Sequence, residues 1–139
     1  MKEGDTVYNC HIPSSGPLAE DSIIDSLRRA YSYFREELTN GIMPVYCNSW
    51  LLYPPTARLY PKESNLEAFY HMFDVIEETE KPNNPDFWRL FYKDFSAETL
   101  SCVTPETSLQ RIILTYLKGG NNMGSGKAIL LFDGEKTVD

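Results

Sequence analysis

Clustered positive charge is what this chain most plainly lacks. Arg28-Arg29 is the only adjacent basic pair, and the net charge is −7. Affinity for a phosphate backbone comes mainly from neutralisation by Lys and Arg, so nucleic acid is excluded as an expected partner. Cysteine is sparse: Cys10, Cys47 and Cys102 lie far apart, with no C-x-x-C spacing. That removes a structural zinc site and a dithiol redox motif from the readings. The two histidines are also far apart, so no metal is expected. No apolar run approaches the roughly 20 residues that cross a bilayer, and no leader segment is evident. The expectation is a cytoplasmic protein with free thiols and no membrane partner. Repeats and low-complexity tracts are absent too.

What is present is ordinary globular composition, with 42% hydrophobic and 24% charged residues over 139. That suits one domain with a substantial core. Residues 6–12 are rich in strand formers and stop at Pro13. From about Leu18, Ile23, Ile24, Leu27, Ala30, Tyr31, Phe34 and Leu38 recur at helical spacing as one apolar stripe. Asn40-Gly41 supplies the stop. Residues 45–53 follow as a nearly continuous apolar run before Pro54-Pro55, which reads as a strand buried on both faces. Strand, helix, strand predicts a parallel, right-handed βαβ unit.

Ser64 looks like a helix N-cap with Glu67 three residues on. Residues 73–79 read as a strand and 87–92 as its hairpin partner, with a helix as the competing reading for the return segment. Residues 96–102 form a short helix. A clearer one carries Leu109, Ile112, Ile113, Tyr116 and Leu117 on one face and ends at Gly119-Gly120. Residues 128–132 are the last strand. The fold class is α/β, with a mixed sheet of about five strands.

Residues 119–127 look at first like a phosphate-binding loop. The spacing fails, since Asn121 stands where the first glycine belongs, and Ala128 replaces the hydroxyl that would hold magnesium. This stretch reads as a flexible connector. Ser14, Ser15, Gly16 and Leu18 lie in a better place, between a strand and a helix, where α/β sheets bind anions. Pro17, Glu20 and Asp21 count against an anion there, and an ordinary capped turn outweighs a phosphate site. His11 sits at the end of the first strand, within reach of Cys47 or Ser49 if the two strands are neighbours, as a nucleophile and base would need. The plainer account is two polar residues sharing a sheet. Gln110-Arg111 suit a carboxylate or phosphate, against a default of a solvated helix face.

Several of these blocks occur together in one known family. His11-Ile12-Pro13 with Gly16-Pro17-Leu18, then Cys47-Asn48-Ser49-Trp50-Leu51-Leu52 with Pro54, then Thr107-Ser108-Leu109-Gln110-Arg111, together resemble the GNAT-like C-terminal domain of bacterial acyltransferase-domain proteins. Members often carry histidine where this chain has Asn48. The resemblance implies an acyl-CoA N-acyltransferase-like fold placed behind an N-terminal partner domain. It implies acyl-CoA or acetyl-CoA as co-substrate, held by the loop of Ser14, Ser15, Gly16 and Leu18. His11, or a water held by Asn48 or Ser49, would serve as base for acyl transfer to a small-molecule amine. The usual Gln/Arg-x-x-Gly-x-Gly/Ala loop of that superfamily is replaced here by Ser14-Ser15-Gly16-Pro17. The alternative is a non-catalytic ligand-binding or protein-interaction module on the same scaffold.

Overall fold

Two-residue alternation along residues 43–49 puts Met43, Val45 and Cys47 on one buried side. The computed structural model describes residues 7–10 and 20–138, the side chain of Glu20 excepted. Its five strands are β1 (Tyr8–Asn9), β2 (Met43–Ser49), β3 (Asp74–Glu80), β4 (Gly124–Phe132) and β5 (Thr137–Val138). They form one mixed sheet in the order β1-β2-β4-β3, with β5 also on β4. β1 runs parallel to β2, pairing Tyr8 with Val45 and Asn9 with Tyr46. The other pairs are antiparallel.

The crossover helix α1 (Glu20–Phe34) carries the expected stripe and continues as a 3-10 turn over Arg35–Glu37. Leu27, Ile23, Ile24, Ala30, Tyr31 and Phe34 pack on Met43, Val45, Leu130 and Phe132. The helix stops a few residues earlier than Asn40-Gly41. Those two instead take left-handed backbone at φ 58° and 69° to turn the chain into β2, and the Tyr31 hydroxyl donates to the Gly41 carbonyl at 2.7 Å.

The run at 45–53 is only partly strand, and buried on one face rather than both. After Ser49 it becomes a 3-10 turn, Trp50–Leu52, because the Ser49 hydroxyl accepts the Leu51 N–H at 3.1 Å. Pro54 then opens the single turn α2 (Pro54–Ala57), a position where a missing N–H costs nothing. The buried Tyr60 hydroxyl donates to Leu51 O at 2.8 Å and ties this turn down. Ser64 caps α3 (Asn65–His71) as expected, accepting from Glu67 N, while the Glu67 carboxylate reaches back to Glu63 N.

Two further expectations are corrected. Residues 87–92 are not a strand pairing with 73–79; they hold the helical turn α4 (Trp88–Phe91), and β3 pairs with β4. Phe87 and Phe91, four apart, stack at 4.6 Å on one side, which suits a helix and defeats a strand. With α5 (Ala97–Cys102) and α6 (Ser108–Lys118) they frame a second cluster of Phe87, Phe91, Ile113, Leu114, Leu117 and Met123. The connector is the other correction, because Gly124 to Lys127 are the first half of the central strand β4, mostly buried. Gly124 and Gly126 share a face. A Cβ on Gly126 would land on the Leu52 carbonyl, and one on Gly124 on Thr79 O and the Tyr53 ring. Glycine is what lets the 50–52 turn lie against the sheet.

Candidate functional site at the ends of the parallel strands

Parallel strands end together on one edge, and ligands of α/β sheets favour those carboxyl ends. Cys10 N donates to Tyr46 O at 2.8 Å, the last described bond between the first two strands. β2 runs on through Cys47, Asn48 and Ser49, and the last two pair with Lys127 and Gly126 of β4. Among the described residues, nothing pairs with the β1 side of Asn48 and Ser49. Backbone N–H and C=O groups on such a strand edge can bond an extended ligand laid beside them.

The two polar residues diverge. Ser49 follows Val45 and Cys47 onto the helix-covered face, where its oxygen accepts from Leu51 N. Asn48 follows Tyr46 onto the opposite face and is exposed, level with Lys127. Lys127 reaches the exposed Glu77 at 3.5 Å, a screened pair of little energetic weight. His11 and the loop residues Ser14, Ser15, Gly16 and Leu18 lie outside the described residues.

What the strands bring together is a pair of thiols. Cys10 and Cys47 follow the in-register pair Asn9 and Tyr46 on the same face, both packed in the α1-covered core. The neighbouring Cys47 thiol draws Cys10 below the usual thiol range, to about 7, against the opposing effect of burial. Cys10 and burial together push Cys47 up, so it stays protonated. Far apart in the sequence, neither cysteine signalled this. Only the register of β1 on β2 reveals it.

The pairing predicts a pH dependence. Because the Cys10 pKa is lowered, its thiolate forms as pH rises through about 7, before the roughly 8.5 of a free thiol. In a Cys102→Ser background, the rate of Cys10 alkylation by iodoacetamide should rise with a midpoint near that value. Cys47→Ala should move the midpoint up toward that of a free thiol. A midpoint unmoved by Cys47→Ala would remove the neighbouring Cys47 thiol as its cause.

Gln110 is accounted for locally. It completes a capping box with Thr107, and its amide Nε2 donates to Leu90 O at 2.8 Å, joining α6 to α4. Arg111 turns to Ser108 Oγ at 3.2 Å. A groove of about 610 Å³ lies along β3, lined by Arg58, Tyr70, His71, Asp74 and Glu78 among others. It sits at the far edge, with β4 between it and β2. Among the described residues no three His, Cys, Asp or Glu side chains converge to hold a metal, and no helix is long and apolar enough to cross a membrane.

The family model described as the GNAT-like C-terminal domain matches residues 1–130. No curated protein matches the chain. Among solved structures, an acyltransferase in complex with decanoyl-CoA superposes with a TM-score of 0.74 at 24% identity, over 93% of this chain and 41% of its own. An acyltransferase in complex with CoA and 10C-teicoplanin gives 0.69 at 21%, over 87% and 39%. The complex with decanoyl-CoA and teicoplanin gives 0.69 at 22%. The chain thus spans about two-fifths of the length of these structures.

Proposed function

The chain belongs to the GNAT-like C-terminal domain family, and from that premise we propose that it is the coenzyme A-facing part of an acyltransferase that acylates an amine. The observation that carries this is that, among the described residues, nothing pairs with Asn48 and Ser49 on the side of β1. A pantetheine arm has two amides in an extended chain, and it fits there as a strand would, bonding main chain rather than side chains. The neighbouring 11–19 stretch is then the segment to face the pyrophosphate, with Ser14, Ser15, Gly16 and Leu18 as its cofactor contacts. Positioning supplies most of the rate in such a transfer. The remaining need is a base for the amine, for which His11, or water held by Asn48 or Ser49, is the proposed source.

Structures of the same fold, with bound decanoyl-CoA in two cases, support acyl-CoA as the donor. Their greater length supports a preceding N-terminal partner domain that completes the enzyme. The separation of Asn48 and Ser49 onto opposite faces favours a second reading for the chain alone. In that reading it binds the acyl donor, and the partner domain brings the missing base and the acceptor.

Calorimetric titration with acetyl-CoA and with decanoyl-CoA tests this. Binding of either at up to millimolar ligand is expected, with Asn48→Ala leaving affinity within about twofold because the bonds are to backbone. No heat from either ligand at millimolar concentration would sink the acyl-CoA reading for this chain.

A further inference from the structure

The sheet has two faces, and among the described residues helices cover only one. α1 and α3 pack on the side of Met43, Val45, Cys47, Ala128, Leu130 and Phe132. The side chains between those point the other way. Register places Tyr46 beside Ile129, Pro44 beside Leu131, and Leu131 beside Val138. All five are partly exposed, and none packs into either buried cluster. Among the described residues no helix packs on this face. The cross-strand row through Tyr46 and Ile129 runs from Asn9 on β1 to Asp74 on β3, both exposed polar ends. An apolar centre with a polar rim, spanning adjacent strands, has the anatomy of an interface.

We propose that this outer face is the docking surface for the partner domain, which lays an amphipathic helix across Pro44, Tyr46, Ile129 and Leu131 and carries a basic residue to meet Asp74. This deepens the reading of the chain as one part of a longer acyltransferase. A helix is the fitting cover because an amphipathic helix buries one apolar stripe, and a sheet face of this width is what such a stripe packs on. A second copy of this chain fits poorly. Two faces each edged by Asp74, on bodies of charge −7, would repel as they approach. A separate domain is also what length indicates, since structures sharing this fold devote 59% or more of their residues to something this chain does not match.

Hydroxyl-radical footprinting, read by mass spectrometry, tests the surface. The 139-residue chain alone is compared with the protein isolated from its native source through a C-terminal tag. Tyr46, Ile129 and Leu131 should label at least fivefold more slowly in the native material and keep that protection on dilution. Tyr92, 86% exposed and away from the face, should label equally in both. Equal labelling of the three residues in both samples overturns the proposal. Protection that vanishes on dilution, in a sample holding only this chain, also overturns it, in favour of a homodimer. Decanoyl-CoA binding is measured on the same samples. An unprotected face in a sample that binds the ligand overturns the docking surface alone, whereas a protected face in a sample that binds no ligand overturns the acyl-transfer reading alone.

Discussion

Gly126→Ala is expected to lower stability by about 3 kcal/mol or more, since overpacking against backbone cannot be relieved by a rotamer change. The new methyl would meet Leu52 carbonyl oxygen, with the carbonyl carbon at 2.6 Å and Leu52 Cβ at 3.2 Å. Leu52 is itself wholly buried, and its turn is held by Ser49 and by the Tyr60 hydroxyl. Neither side has room to yield. At roughly 3 °C per kcal/mol for a domain of this size, thermal denaturation should show a fall of about 10 °C. Gly120→Ala is the control. Nothing lies within 4 Å of a Cβ there, and only its φ of +89° opposes the substitution, so its cost should stay near 1 kcal/mol. Equal losses at the two positions would show that close approach of the 50–52 turn is not the reason for glycine in β4. The turn leaves the strand end that is proposed to bind the acyl donor, so partial unfolding should also abolish ligand heat.

Asn84→Ala should cost roughly 2–4 kcal/mol, as expected when a buried polar group loses its partner. Asn84 is 1% exposed. Its amide donates to Pro82 O and to Asn122 Oδ1, each at 3.2 Å, and its oxygen accepts from Met123 N at 2.6 Å. Lys81 N donates to Met123 O at 2.9 Å beside it. Together these lock the end of β3 to the start of β4. Truncation leaves the Met123 N–H without its acceptor. Asn84 also has φ +47°, which alanine tolerates poorly. Asn84→Gly relieves that backbone strain and should therefore lose measurably less than alanine. Urea denaturation separates the cases: a glycine variant as unstable as alanine would leave the side-chain bonds as the whole effect.

The elements legible in the sequence were those whose side chains repeat. The α1 stripe at Ile23, Ile24, Leu27, Ala30 and Tyr31 announces its helix, and the flanking strands then imply a parallel pair. The blocks around Cys47 and Thr107 carry the family. Where side chains are missing or ambiguous the reading fails. Gly124 and Gly126 offer no hydrophobic signal, although their spacing of two is a strand's, with both on one face. Phe87, Trp88, Phe91 and Tyr92 suit either period, and the alternatives were separated only by what packs on Phe87 and Phe91. At the candidate site, the residue types of Asn48 and Ser49 are legible but their opposite orientations depend on where β2 ends. The thiol contact of Cys10 with Cys47 depends on inter-strand register. A local pattern does not encode that.

One consequence concerns synthesis of the chain. β4 lies between β2 and β3 yet is made after both, so Met43 waits for Phe132 and Val75 for Ala128. Until the ribosome releases the last of β4, the βαβ unit has no antiparallel neighbour and β3 has no described partner at all. Such non-local pairing slows folding. It also leaves two strand edges open during translation. The acidic run Glu77, Glu78 and Glu80 along β3 is well suited to that interval, because charge on an unpaired edge discourages other nascent chains from adding to it.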